Sequence, residues 1–306
     1  MKCTENNTTS LPRGQIVIVL AMSLPALIGA IALAADVGML YHNWQILQAA
    51  ADTGAVAGAS YLPSNPSLAI STADSFAEKN GILASEITST TVSSNDTSLN
   101  IQLTRTVPYS FAILLGLTTG TVTARATAQV QTIGSTTGVT PVGIDYRQSY
   151  FAGQVVTLAE GQVGPGNWGP LALGGTGATI FQQNVEYGYQ GWVSAGDWIT
   201  TETGQMVGPT SNAFNFVINE GQNVDPDGTF ASHTLSDPRV LIVPMVDFSS
   251  INGNSQVPVK GFAALWLVGV DNQNNISTYF ISQVAAGSRP MAGSNNYGAY
   301  QAVLVQ

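Results

Sequence analysis

The chain has a single cysteine and few charges, and these two shortages exclude more than any motif does. Cys3 is the only thiol, so no internal disulfide can form and the rest of the chain must fold on a hydrophobic core. Charged residues make up only 9% of the sequence, and nine Lys and Arg against eighteen Asp and Glu leave a net charge of −9. No basic stripe occurs, which argues against nucleic acid as a partner. The two histidines, His42 and His233, cannot make a His-rich metal spacing such as H-E-x-x-H. A G-x-S-x-G elbow is also missing, and acids such as Glu160, Glu186, Asp197 and Glu202 are scattered. We therefore expect no catalysis and no cofactor.

What the chain does have is an unbroken uncharged run, Ile16 to Ala35, interrupted only by Ser23, Pro25 and Gly29. At helical rise these residues reach about 30 Å, the thickness of a bilayer's hydrocarbon core. Lys2 and Arg13 precede the run, Asp36 follows it, and the next cation is Lys79. Positive residues stay inside, which predicts a cytoplasmic tail over 1–15, a membrane span over 16–35 and export of the remainder from the cytoplasmic membrane. A cleaved signal peptide ending near Ala32-Leu33-Ala34 is the competing reading. The length of the run, and helical periodicity that continues beyond it, favour a retained anchor.

Past Asp36, the residues Val37, Leu40, Tyr41, Trp44, Leu47 and Ala51 mark one face of an amphipathic helix, expected to end by Pro63 and Pro66. Tyr41 and Trp44 fall where aromatic rings suit lipid headgroups. Ala50, Gly54 and Gly58 repeat every four residues and make a face with almost no side chain. Such a face suits close helix packing, either self-association with another chain's helix or contact with the segment that follows.

Arg13-Gly14-Gln15, the apolar run, Asp36-Val37-Gly38-Met39-Leu40-Tyr41 and Leu47-Gln48-Ala49-Ala50-Ala51-Asp52 together resemble the N-terminus of TadE/TadG-type proteins of the tight-adherence (Flp) pilus system. The likeness is good over 13–60 and looser to about residue 130. It implies a non-catalytic envelope protein that supports assembly or anchoring of a pilus or related secretion machine, with other subunits of that machine as partners. TadE-like pseudopilins are cut after a glycine and carry a glutamate at the fifth position beyond it. Counted from Gly14, that position is Val19, which favours the TadG-like branch with a retained helix.

The predicted fold class is α+β. A membrane helix extends into a membrane-proximal helix over 36–62, then comes a small pilin-like α+β unit over 63–133. A linker follows over 134–139, and a β-rich exported domain over 140–306. In the small unit a helix is expected from about Leu68 to Asn80-Gly81, then strands Ile87–Val92 and Leu99–Val107 around a hairpin at Ser94-Asn95-Asp96. Phe111–Leu117 reads as a short apolar helix or turn, and Thr121–Val130 as another strand. In the last region helices are expected over Ala178–Tyr187 and Ser211–Glu220. Strands are expected over Gln154–Leu158, Val240–Phe248, Gly261–Val270 and Ser277–Val284. The second and third of these read as central, although Pro244 suggests a bulge or an edge.

Three further features could carry ligands. Gly164-Pro165-Gly166-Asn167-Trp168-Gly169 matches G-x-G-x-x-G formally, but its prolines suit a glycine turn instead. Asn223, Asp225 and Asp227 resemble the first half of a calcium loop, with Thr234 where the bidentate Glu belongs. An Asp-Pro-Asp-Gly turn explains the same residues. Trp192 and Trp198 could stack on a glycan or surface ligand, or serve as core aromatics, while Trp266, in an apolar strand, belongs to the core. A surface or secreted adhesin module that uses the β-rich domain is thus the alternative function.

Overall fold

A computed structural model of the chain describes residues 13–158, 168–202, 207–234, 236–249, 255–272, 275–285, 288–290 and 297–305. Lys2, Cys3, Glu160 and the Gly164–Asn167 part of the glycine motif lie outside these residues.

Helix α1 is one continuous 47-residue element, Arg13–Ala59, with Pro25 inside it. At 1.5 Å per residue it is about 70 Å long. Its two halves meet different surroundings. Val17, Met22 and Leu33 are 65%, 76% and 67% exposed, whereas Leu47, Ala51 and Ala55 are fully buried.

Helix α2, Pro66–Lys79, packs on the buried half. Pro66 opens this helix, whereas the sequence places it among the stops of α1. Proline's fixed φ and missing N–H suit the first helical turn, and the Asn65 side chain accepts the Leu68 N–H at 3.0 Å as the cap. Ala69, Ala73 and Ala77 form the buried face of α2.

Strands β1 (Ile87–Val92), β2 (Ser98–Pro108) and β3 (Thr119–Thr136) form an antiparallel meander. Leu99, Ile101 and Leu103 alternate inward from β2 and share one core with α1 and α2. β3 overruns the expected linker. Ser135 and Thr136 pair with β7 (Val193–Ser194), and Ser135 also faces Arg289 of β13 (Arg289–Pro290). The small polar residues there read as a linker because composition does not reveal ladder partners. Thr136 is nevertheless buried and accepts a hydrogen bond from Ser288 Oγ at 2.9 Å.

The second sheet begins with β4 (Val142–Asp145), β5 (Val155–Leu158) and β6 (Trp168–Pro170). After α3 (Ala178–Tyr187) come β8 (Trp198–Thr200) and α4 (Val207–Val224). Its order is β5-β11-β10-β9-β4-β6, where β9 is Val240–Val246, β10 Gln256–Val270 and β11 Ile276–Ile281. Strands β9 and β10 are interior, as their apolar runs require. Pro244 is opposite Phe262, and β4 pairs with β9 only at Met245 and Val246, so the missing proline donor is tolerated. Phe181, Val185, Phe214 and Val217 bring α3 and α4 onto this sheet.

Residues 140–306 do not keep to themselves. β14 (Ala299–Val305) returns to the first sheet and pairs with β3 from Thr127 to Thr132, and β12 (Gln283–Val284) lies beside it. Ile133, Val193 and Ala299 then share a core with Val246, Val259 and Phe262, which joins the two sheets.

Candidate functional site at the membrane junction

Among the described residues, α1 is the one helix long and apolar enough to cross a membrane, and no residue of its apolar window is buried. It fits membrane anchoring. The junction with the folded part is set by Asp36, the first acid after the apolar run. Its side chain is buried, with only 4% exposure of the residue. Oδ1 accepts the N–H groups of Ser110 at 2.8 Å and Phe111 at 3.2 Å. Oδ2 accepts those of Phe111 at 3.1 Å and Ala112 at 2.6 Å. The carboxylate thus caps the 3₁₀ turn Ala112–Leu115 in the loop between β2 and β3, where three successive N–H groups would otherwise lack acceptors.

In the sequence Asp36 reads only as a boundary charge and a motif residue, and the clamp is not visible there. The available signal was an acid directly after an uncharged run, because a carboxylate held there requires donors. Asp36→Ala is expected to strip the amides of Ser110, Phe111 and Ala112 of their hydrogen-exchange protection. Amides of the β1–β2 pair should keep theirs, which hydrogen exchange read by mass spectrometry can check. Equal loss across both regions would show that Asp36 supports the whole unit and not the loop alone.

Above the clamp, Tyr41 and Trp44 stack on each other with ring centres 5.8 Å apart, both with exposed faces. Arg105 of β2 then ties three elements together. Its Nε donates to Glu86 Oε1 at 2.6 Å, Nη2 to Glu86 Oε2 at 2.9 Å, and Nη1 to Asn43 Oδ1 of α1 at 3.2 Å. The Arg105 hydrogen bonds hold the Glu86 carboxyl below its ordinary range, against the opposing effect of desolvation.

The small-residue face of α1 is occupied within the chain. Ala50 is buried, and a Cβ built on Gly54 would stand 2.8 Å from the Ala73 carbonyl oxygen. One built on Gly58 would stand 2.5 Å from that of Ala69 and 2.8 Å from Ala73 Cβ and Leu99 Cδ1. Of the two readings open in the sequence, α2 is the helix that makes this approach.

The ligand candidates in the later half are spread out. Asn223 lies in the last turn of α4. Asp225 Oδ2 accepts the Thr234 N–H at 2.9 Å, and the Asp225 carbonyl accepts the Gly228 N–H at 3.1 Å, which closes the Asp-Pro-Asp-Gly turn. The same carbonyl accepts Arg239 Nη2 at 2.5 Å, so a guanidinium already sits against this loop. Among the described residues no three His, Cys, Asp or Glu side chains gather as a metal group.

Trp192 and Trp198 flank one short turn that links β7 on the first sheet to β8 on the second, and they are 49% and 64% exposed. The Arg289 guanidinium lies 4.4 Å from the centre of the Trp192 ring. Trp266 is in the core, with the Arg239 guanidinium 4.5 Å and the His233 ring 4.8 Å from its ring centre.

Residues 14–60, which run from the second residue of α1 to one residue past its end, match the family model of Flp pilus-assembly, TadE/G-like proteins (Tad). No curated protein was found to match the chain, and no solved structure was found to match it. The match covers α1 with its small-residue face and points to involvement in Flp pilus assembly.

Proposed function

We propose that this chain is a non-catalytic, single-pass protein of the cytoplasmic membrane, N-terminus inside, whose exported part supports the assembly or anchoring of a Tad/Flp-type pilus or a related secretion machine. The observation that carries this is the unbroken helix α1, exposed and apolar at one end and built into a folded core at the other, over the stretch that matches the pilus-assembly family. A helix of this kind transmits position mechanically: it holds the domain at a fixed place relative to the bilayer. Other pilus subunits are the expected partners.

The test is deletion of the chain in its own host, with complementation by the full-length form and intact-mass analysis of membrane, pilus and culture-fluid fractions. Loss of surface pili, with a full-length chain in the membrane fraction, is the expected result. Intact pili, with a chain that begins near Ala35 in the medium, would overturn it.

The exposed rings of Trp192 and Trp198 favour one second reading, an adhesin surface for a glycan or protein. That reading expects normal pili but lost adhesion after Trp192→Ala with Trp198→Ala.

A further inference from the structure

The loop that Asp36 clamps has apolar side chains from Phe111 to Leu117 and no polar one. Leu114 and Leu115 are 84% and 83% exposed, and Phe111, Ile113 and Leu117 are exposed too. Six of its N–H groups from Ser110 to Leu117, by contrast, have partners within the chain. Asp36 takes the N–H groups of Ser110, Phe111 and Ala112. The carbonyls of Phe111, Ile113 and Ala112 take those of Leu114, Gly116 and Leu117. Tyr109 N–H and the Thr118 carbonyl close the base at 3.0 Å. Exposed apolar side chains over amide groups that mostly have partners suit the boundary between headgroups and acyl chains and are disfavoured in water.

The loop lies alongside α1. A groove of about 540 Å³ runs between them, with Ile28, Gly29 and Leu33 on the helix side, Leu114 and Leu115 on the loop side, and Asp36 at the end nearer the domain. Ile28 is about 12 Å along the helix from Asp36 at 1.5 Å per residue. The loop therefore reaches the level of residues that the span itself places in hydrocarbon. Tyr41 and Trp44 sit on the other side of Asp36, at the height expected for an interfacial aromatic belt.

We propose that the Phe111–Leu117 loop enters the leaflet on the domain's side beside α1, with lipid acyl chains filling the groove between them. The exported part then meets the bilayer at two points, a spanning helix and an immersed loop, joined by the Asp36 clamp. Lipid is the occupant because the groove is continuous with the exposed apolar surface of Val17 to Leu33, and neither wall has a basic side chain to recruit a charged partner. The proposal rests on the reading of α1 as a membrane span.

The test uses the full-length chain with Cys3→Ser and one new thiol at a time: Leu115→Cys, Leu27→Cys as a mid-span control, or Ser94→Cys at the exposed β1–β2 turn. Each is labelled with an environment-sensitive fluorophore and reconstituted in phosphatidylcholine and phosphatidylglycerol vesicles. The Leu115 site is exposed in the fold, so the label itself disturbs no packing. The Leu115 and Leu27 probes should emit at shorter wavelength and lose fluorescence to nitroxide-bearing lipids, and the Ser94 probe should respond only to aqueous iodide. A Leu115 probe quenched by iodide, with Leu27 still quenched by lipid nitroxide, would overturn the immersed loop and leave the anchor standing. A Leu115 probe shielded from both quenchers would mean that a second protein copy covers the groove, which also overturns the proposal. Iodide quenching of both Leu115 and Leu27 would sink the membrane reading of α1 itself.

Discussion

Gly58→Val is expected to destabilise the membrane-proximal unit by about 3 kcal/mol, the upper end for overpacking in a well-packed site. A Cβ there meets a backbone carbonyl, that of Ala69, at 2.5 Å, besides two side-chain atoms at 2.8 Å. The carbonyl belongs to α2 and cannot rotate away as a flexible side chain would, so relief requires that two helices separate. That separation opens the core formed by Leu47, Ala51, Ala55, Ala73 and Leu99. Gly38→Ala, in the same helix, is the control. Nothing lies within 4 Å of its added Cβ, and replacing a helical glycine with alanine should stabilise by about 0.5–1 kcal/mol. Denaturant unfolding in detergent would read both. A Gly58→Val chain as stable as wild type would show that α1 and α2 stand far enough apart to accept a side chain at residue 58.

Arg239→Ala should cost about 3–5 kcal/mol, the range for removing one partner of a buried ion pair. Arg239 donates from Nε to Asp237 Oδ1 at 3.0 Å and from Nη2 to Asp237 Oδ2 at 2.7 Å, and the Asp237 side chain has no exposed surface. The guanidinium also bonds the Asp225 carbonyl and lies 4.5 Å from the centre of the Trp266 ring. Truncation leaves a buried carboxylate that, among the described residues, keeps the backbone N–H of residue 239 as its donor, and takes the guanidinium off an indole ring. Arg239→Lys should recover little, since an ammonium cannot make the fork. Adding Asp237→Ala to Arg239→Ala should restore part of the loss, because the stranded charge goes with it. Urea titration followed by tryptophan emission measures all three. An Arg239→Ala chain as stable as wild type would mean that water reaches Asp237 and solvates it.

Where periodicity and punctuation agree, the sequence alone locates elements well. Phe181 and Val185 fall one turn apart between Gly177 and Gly188, and α3 occupies Ala178–Tyr187 as expected. β1 likewise runs from Ile87 to Val92, and the four strand candidates of the later half all contain strands. The two- and three-residue strands β6, β7, β8, β12 and β13 are too short to carry an alternation, and only their partners define them. The same limit applies at the junction. An acid after an apolar run is visible in one dimension, but the three amides that it caps lie more than seventy residues further on. The apolar character of Phe111–Leu117 was legible too. Its position beside the anchor was not, because that depends on how far β2 carries the chain back toward α1.

The pairing of β14 with β3 sets an order in time. A chain made from its N-terminus produces α1, α2 and the β1–β2–β3 meander early, yet the free side of β3 stays open until residues 299–305 arrive. Until then that strand presents an unpaired edge beside α1, the kind of edge to which a neighbouring nascent chain adds. The strand at residues 299–305 therefore acts as a latch, and the first sheet is closed only after the second has been made.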